Sequence, residues 1–424
     1  MAATAMAAWR RADSASIDRA IGGKSRRTPT REASVSRMRI ADIRERSLAI
    51  SRHGDPSLPS GGLTTSIVAL VTDVVRSGAR VIGYGFASIG RYAQGGLIRE
   101  RFAPRLLAMS DLADASGNSL DPFCAARAML AGEKPGGHGE RCVAIGTLDM
   151  ALWDAAAKIA GLPLYRFLAA RLGRKVAEPP ATLPVYAGGG YYYPRDDVAR
   201  LADEIARLRD GGYTRVKIKI GSAPLKEDLR RIEAAQRRLD APGCLAVDAM
   251  NAYGPEASRA AAEALAPLGL WWFEDVCDPL DFATLADTAL RYEGPIAAGE
   301  ALFSLAEAKL LDRHGGLRRD RDILLFDPVH CYGLPGYLQI LEYLEGAGWP
   351  RRAFWPHGGH LFTLHVATAL GLGGAEVNPL CFQPLAGLGD GETPRNGRAT
   401  LPEAPGIGFE TKAEAFALFR SLLE

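Results

Sequence analysis

Short apolar segments that each end in a charged or ionisable residue recur along the second half of the chain. They read RVKIKIG, CLAVDAMN, LWWFEDVCDP, IAAGEALF, ILLFDPVH and AFWPHGGH. Between them lie stretches such as KEDLRRIEAAQRRLD, in which apolar residues recur at helical spacing. The segments follow one another at steps of 26 to 30 residues, enough for a strand, a helix and two loops. Strands that alternate with helices at this period predict βαβ units and a parallel sheet.

The same pattern extends to eight strands. The segment LPVYAGGGYY (183–192) predicts the first strand, the six segments above predict strands two to seven, and GAEVNP (374–379) predicts the eighth. In a (β/α)8 barrel the carboxyl ends of the strands form the face that carries the active site. We therefore expect the residues that end these strands to meet at one mouth of a barrel.

The pattern before the barrel predicts a separate α+β domain. MRIADIRERSLAI, TTSIVALVTDVVRSG and VIGYGFAS predict three antiparallel strands. LIRERFAPRLLAM, PFCAARAMLAG, VAIGTLDMALWDAAAKIAG and GLPLYRFLAARLG carry apolar residues at helical spacing and predict helices. The proline-rich VAEPPATLP predicts a linker into the barrel.

Four parts of the chain follow from these patterns. Residues 1–36 are rich in Ala, Ser and Arg and have no hydrophobic period. We interpret them as a disordered tail or as an extension upstream of a true start at Met38, with a transit-like peptide as a third alternative. The other parts are an α+β capping domain (37–172), a barrel (173–390) and a C-terminal segment (391–424) that packs back on the cap. The expected fold class is α/β, a modified TIM barrel with an α+β cap completed by the C-terminal segment.

Composition and charge change this picture little. A chain of 424 residues, 47% hydrophobic and 24% charged, is typical of a globular protein with two domains. The net charge of +2 gives no reason to expect nucleic acid or an anionic membrane as a partner, and no apolar run reaches the roughly 18 residues of a membrane helix. Six scattered cysteines without a CxxC pair predict reduced thiols and a cytoplasmic location.

Three carboxylates end consecutive predicted strands. Asp248, Glu274 and Glu300 follow one another at 26-residue steps. At one barrel mouth they would repel one another unless a cation neutralised them. A single acidic strand end would be a helix cap or a loop residue, but three in register favour a metal site. Because all the ligands are oxygens, we predict one Mg²⁺ per active site.

Two lysines and an Asp–His pair flank these carboxylates. Lys217 and Lys219 are two apart in a strand and point to the same face. Near a metal, we expect the two ammonium groups to lower each other's pKa, so that one lysine can be neutral near pH 7 and act as a base. The alternative is a pair of lysines on an exposed strand face. Asp327 and His357 end neighbouring strands, about 4.8 Å apart, and can hydrogen-bond. The carboxylate would fix the tautomer of His357 and raise its pKa, which makes it a better acid.

A base and an acid about a cation fit removal of a proton alpha to a carboxylate. This combination of KxK at 217–219, the three carboxylates, Asp327 and His357 resembles the mandelate racemase branch of the enolase superfamily. More narrowly, TSIVALVTDVV, EKPGGHGER, YAGGGYYYP and PHGGH resemble the D-tartrate dehydratases.

The resemblance implies a reaction and further site residues. Lys219 would abstract the alpha proton and His357 would assist departure of hydroxide, which converts D-tartrate into oxaloacetate. Lys134, in EKPGGHGE, matches a further active-site lysine of the family. The carboxamide expected two residues after the first metal ligand is replaced by Met250, and Asn251 follows it. Asn251 is therefore the candidate for that substrate contact.

The predictions of the substrate and of the oligomeric assembly rest mainly on the resemblance. The loop at 52–62 differs from the expected pattern, and capping-domain loops contact the distal end of the substrate. The substrate is expected to be a small carboxylate, and the assembly a homo-oligomer. Two alternatives stay open: a racemase or epimerase of an alpha-hydroxy acid on the same site, and a catalytically weak paralogue that only binds carboxylates.

Overall fold

The computed structural model describes residues 37–55, 57–58, 60–176 and 181–424. The predicted tail at 1–36 and part of the predicted linker, residues 177–180, lie outside the described residues.

An antiparallel three-stranded sheet begins the described chain, as the sequence predicted. Its strands pair in the order β1 (Ile40–Ala49), β2 (Thr64–Arg76) and β3 (Ala79–Phe86). The sheet packs on α3 (Glu140–Ile159), a helix of which nearly every residue is buried. A Cβ atom on Gly83 or Gly85 would collide with backbone atoms of this helix, so these glycines permit the close contact.

Three other helices complete this part of the chain. They are α1 (Ala103–Leu107), α2 (Pro122–Leu130) and α4 (Leu164–Arg171). The segment predicted as one helix over LIRERFAPRLLAM is a π-helical turn, Leu97–Phe102, that continues into α1. Pro104 lies at the junction and has no amide hydrogen to donate, which favours a change of hydrogen-bond pattern there.

A parallel barrel follows, as the spacing predicted. Its strands are β4 (Thr182–Gly188), β5 (Val216–Lys219), β6 (Leu245–Asp248), β7 (Phe273–Glu274), β8 (Ile296–Ala298), β9 (Ile323–Leu324) and β10 (Ala375–Val377). β10 pairs with β4. The seventh position is an extended segment at 354–357, whose Trp355 amide donates to the Leu324 carbonyl at 2.9 Å. The amide of Glu376 donates to the carbonyl of Pro356 at 3.4 Å and closes the ring.

Helices cover the outside of the barrel. They are α5 (Asp197–Asp210), α6 (Leu225–Gln236), α7 (Pro255–Leu265), α8 (Phe282–Arg291), α9 (Leu305–His314), α10 (Gly333–Gly346) and α11 (Leu361–Leu370). In α5 the buried residues Leu201, Ile205 and Leu208 recur at i, i+4 and i+7, so one stripe faces the sheet. None of the helices in the described residues is long and apolar enough to cross a membrane.

The last part of the chain touches both the barrel and the three-stranded sheet. Strand β11 (Arg398–Thr400) pairs antiparallel with β4. Beyond it, the amide of Ile407 donates to Asp154 of α3 at 2.7 Å. The final helix α12 (Ala413–Arg420) places Phe419 in a stack on Tyr84 of β3, with ring centroids 5.1 Å apart.

Candidate active site

A layer of aromatic and aliphatic side chains fills the barrel beneath the mouth. It contains Tyr186, Ala246, Trp272, Ala297, Leu325 and Trp355. Residues two apart on a strand point to the same side. The residues two positions after Ala246, Trp272, Leu325 and Trp355 therefore stand on this layer, and they are Asp248, Glu274, Asp327 and His357. These polar groups therefore stand on a packed layer of buried apolar side chains.

Asp248, Glu274 and Glu300 meet at the mouth, with one oxygen of each within 4.8 Å of the others. The indole of Trp272 donates to Glu274 Oε2 at 2.7 Å, and the amide of Met250 donates to Asp248 Oδ1 at 2.7 Å. Burial raises the pKa of Glu274 well above its usual range, the ammonium of Lys217 lowers it, and the charges of Asp248 and Glu300 raise it.

The three carboxylates fit one divalent cation. Glu300 Oε2 is buried and has no hydrogen-bond partner in the described part of the chain. An oxygen left bare in this way is costly unless a cation or another ligand binds it. The set offers only carboxylate oxygens, which suit a hard cation such as Mg²⁺.

Both lysines of the KxK motif lie inside the mouth and are almost completely buried. Lys217 pairs with Glu274 and lies 3.3 Å from Glu376 Oε1, while Lys219 pairs with Asp248. The exposed alternative is therefore wrong. Burial lowers the pKa of both lysines, and Lys217 also lowers that of Lys219, but Glu274 and Glu376 raise the pKa of Lys217 and Asp248 raises that of Lys219 above the usual value. In the metal-free protein the carboxylates outweigh the repulsion between the two ammonium groups. Because Asp248 and Glu274 are candidate metal ligands, the lowered lysine pKa expected beside a bound metal stays a prediction.

Asp327 and His357 form the expected hydrogen bond. Nδ1 of His357 lies 2.9 Å from Asp327 Oδ2, and its Nε2 faces Glu300 Oε2 at 3.6 Å. Burial alone would lower the pKa of His357, but Glu300 and the hydrogen bond to Asp327 raise it to about 9. Both carboxylates favour the protonated ring, whose Nε2 faces Glu300.

Ser88 joins this pair from the segment that follows β3. Its hydroxyl donates to Asp327 Oδ2 at 2.7 Å and lies 2.9 Å from Nε2 of His360. Because the hydroxyl hydrogen goes to the carboxylate, Nε2 of His360 must donate to the Ser88 oxygen. His360, for which the sequence suggested no role, is the outer end of this chain of hydrogen bonds.

The two residues predicted to contact the substrate form no hydrogen bond or ion pair with the three carboxylates, the two lysines or the Asp327–His357 pair. Lys134 is exposed on a loop held by Arg141, which donates to the Lys134 carbonyl at 2.9 Å and to Tyr332 Oη at 2.8 Å. Asn251 has a left-handed backbone and donates its amide to the Cys277 carbonyl at 2.9 Å. Their roles toward a substrate remain predictions.

A second group of ligand-type side chains comprises Asp327, His330 and His357. The hydrogen bond between His357 Nδ1 and Asp327 Oδ2 occupies two of the atoms that a metal there would need. We therefore interpret Asp327 and His357 as a hydrogen-bonded pair that orients the His357 ring, and not as metal ligands.

Sequence reasoning missed three residues at the mouth. Glu376 lies in β10, and its signal was an acidic residue between Ala375 and Val377 in a strand predicted to be buried. Trp272 was read only as part of an apolar run. Ser88 gives no sequence signal, because its contact depends on how the first sheet docks on the barrel.

Comparisons with known proteins identify the family of this chain. Residues 200–415 match the family described as enolase C-terminal domain-like. An arabinonate dehydratase of Saccharolobus solfataricus is 30% identical over 67% of this chain and 74% of its own. An L-talarate/galactarate dehydratase of Salmonella typhimurium is 28% identical over 82% of each chain.

A solved structure is similar over most of the chain. It is an L-talarate dehydratase from Polaromonas in complex with Mg and L-glucarate, with a TM-score of 0.67 and 26% identity. The alignment covers 89% of this chain and 97% of that one. The family match spans half of the chain and includes every metal-ligand candidate, and this chain therefore belongs to the enolase superfamily.

Proposed function

We propose that this protein is a Mg²⁺-dependent dehydratase of hydroxy diacids and acid sugars, with D-tartrate as substrate and oxaloacetate as product. One observation carries the proposal. Lys219 pairs with Asp248 at one end of the carboxylate cluster, and His357 faces Glu300 at the other. A substrate held over this cluster therefore has a candidate base and a candidate acid at different ends.

The residues have distinct roles in this proposal. Asp248, Glu274 and Glu300 would hold Mg²⁺, which when bound would polarise the substrate carboxylate and so acidify the alpha proton. Lys219 accepts that proton. His357 donates the proton on Nε2 to the departing beta-hydroxyl, so that one water leaves in total. The enol product tautomerises to the keto acid.

The supporting residues keep the acid and the base in place. Asp327 holds the His357 ring by its Nδ1, so that Nε2 faces the substrate. Lys217 balances Glu274 and Glu376 and is expected to remain an ammonium. Lys219 must lose its proton before it acts as a base, and Asp248, which holds that proton in the metal-free protein, is itself a proposed metal ligand.

The kinship with dehydratases supports loss of water over racemisation. Both curated relatives named above are dehydratases of sugar acids. The choice of D-tartrate rests on the resemblance of the segments quoted above.

The proposal is tested by incubating the purified protein with Mg²⁺ and a panel of D-tartrate, L-tartrate, galactarate and arabinonate. We expect a keto acid from D-tartrate, detected as its semicarbazone, and none after Lys219→Ala. If only another acid of the panel yields a keto acid, the proposed substrate D-tartrate is wrong but the dehydratase reaction stands. Inverted substrate that carries deuterium after reaction in D₂O would instead indicate a racemase. Binding without turnover of any acid would indicate the carboxylate-binding alternative.

A further inference from the structure

A half-buried arginine lies beside the Asp–His pair without an anionic partner. Arg91 forms no hydrogen bond or ion pair with the described residues, and its Nε is buried. Its guanidinium rests on the ring of Phe303 at 4.9 Å from the centroid. A guanidinium that is partly removed from water is usually paired with a carboxylate or phosphate.

A fully buried histidine shares the same aromatic ring. His330 is 1% exposed, and neither of its ring nitrogens has a hydrogen-bond partner among the described residues. Its ring meets Phe303 edge to face at 5.5 Å and lies 5.6 Å from the ring of His357. Its Nδ1 is 3.7 Å from Asp327 Oδ2, which is too long for a hydrogen bond. An imidazole always carries at least one N–H, so a buried donor is left unused here.

Both unpartnered groups lie next to the proposed acid. Arg91 directly follows Gly90, where a Cβ atom would be 3.9 Å from Cε1 of His357. The charges of Asp327, His357, Arg91 and Glu300 all act on His330. Arg91, His330 and Phe303 therefore lie together beside His357. Arg91 has no acidic partner among the described residues, and the Asp327 oxygen that lies 3.7 Å from His330 already accepts from Ser88 and is bonded to His357.

We propose that Arg91 and His330 form a subsite for the second carboxylate of a dicarboxylate substrate, at the end remote from the metal-bound carboxylate. The subsite rests on the proposed function, because it requires that the first carboxylate is held at the Asp248–Glu274–Glu300 cluster. The guanidinium supplies the charge, the imidazole N–H supplies a directional donor, and Phe303 holds both. A sugar acid with a single carboxylate would leave Arg91 unpaired.

The test uses two unreactive probes of equal length, succinate and its monoamide succinamate. Calorimetric titration of the Mg²⁺-loaded protein measures binding without turnover. We expect wild type to prefer succinate by about tenfold to a hundredfold, the effect of one charge-assisted hydrogen-bond pair. Arg91→Gln should remove this preference, His330→Leu should reduce it, and Arg91→Lys should retain part of it.

The matched control is Arg80→Gln, an exposed arginine at the opposite end of β3. It should keep the wild-type preference, and circular dichroism should show that all variants are folded. An equal preference in wild type and Arg91→Gln, or no preference in wild type, overturns the subsite. Failure of the dehydratase proposal appears separately, as absence of keto acid from the panel while the succinate preference persists.

Discussion

At the scale of single residues, the site depends on side chains that touch the proposed catalytic groups from outside the KxK and carboxylate motifs. Ser88 has a left-handed backbone with φ of +58°, a conformation that few residues other than glycine adopt. It is completely buried, and its hydroxyl holds Asp327. A serine kept in a costly conformation at this place indicates that the hydroxyl matters.

Replacement of Ser88 by Ala is expected to lower kcat about tenfold to a hundredfold with little change in KM. The hydroxyl donates to a charged group, and such bonds contribute roughly 1.5–3 kcal/mol. Steady-state kinetics with the turned-over acid measures the effect. Ser88→Gly is the control, because glycine relieves the left-handed backbone and also lacks the hydroxyl. Wild-type activity in the glycine variant would show that strain, and not the hydroxyl, is responsible.

Trp272→Phe is expected to weaken Mg²⁺ binding about tenfold to a hundredfold, because the indole orients Glu274. Calorimetric titration with Mg²⁺ measures this. Trp349→Phe is the matched control, since its indole donates to Asp312 on the outside of the barrel at 2.9 Å. Equal losses of affinity in the two variants would contradict a specific role for Trp272.

At the scale of elements, His365 ties three segments together. It lies in α11, its Nδ1 accepts from the Tyr165 amide of α4 at 3.1 Å, and its Nε2 donates to the Ile407 carbonyl at 3.0 Å. It needs to be neutral, since Nδ1 must keep its lone pair. Burial lowers its pKa to about 4. The sequence gives no sign of these hydrogen bonds, because their partners come from distant segments.

A pH-dependent stability follows from this histidine. Between pH 6.5 and pH 4 the unfolded chain protonates His365 and the folded chain does not, so the free energy of unfolding falls as the pH falls. Its contribution should shrink by roughly 2 kcal/mol from pH 7 to pH 5. Urea unfolding at both pH values measures this, and His365→Gln should remove that part of the dependence. His314→Gln, at an exposed position, should leave it unchanged.

At the scale of the whole molecule, the C-terminal segment joins the first sheet to the barrel. Phe419 is fully buried between Tyr84 and Phe409. Asp154 accepts from the amide of Tyr84 at 2.9 Å and from that of Ile407, so one buried carboxylate links the first sheet to the C-terminal segment.

Phe419→Ala should therefore destabilise the protein by about 3–5 kcal/mol, the cost of a large cavity in a core. Urea unfolding followed by circular dichroism and tryptophan fluorescence measures the loss. The exposed Leu290→Ala is the control and should cost less than about 0.5 kcal/mol. A loss at Phe419 no larger than that control would show that the C-terminal helix contributes little to the core.

Local pattern was enough to predict the barrel, the three antiparallel strands and the residues at the strand ends. Period and alternation determine which residues end a strand and which face the interior. The protonation of Lys217 and Lys219 could not be predicted in this way, because it depends on distances to carboxylates of other strands. The contacts of Ser88, Arg91 and His330 were equally hidden, since they depend on docking between distant parts of the chain.

The bond from Ser88 to Asp327 also bears on the order of events in refolding. The barrel can bring Asp327 and His357 together by itself, but the serine arrives only when the first sheet docks. Recovery of catalytic activity after dilution from urea should then lag behind recovery of helical circular dichroism. If Ser88 acts as described, the rate at which enzyme activity returns reports the rate at which the first sheet docks on the barrel.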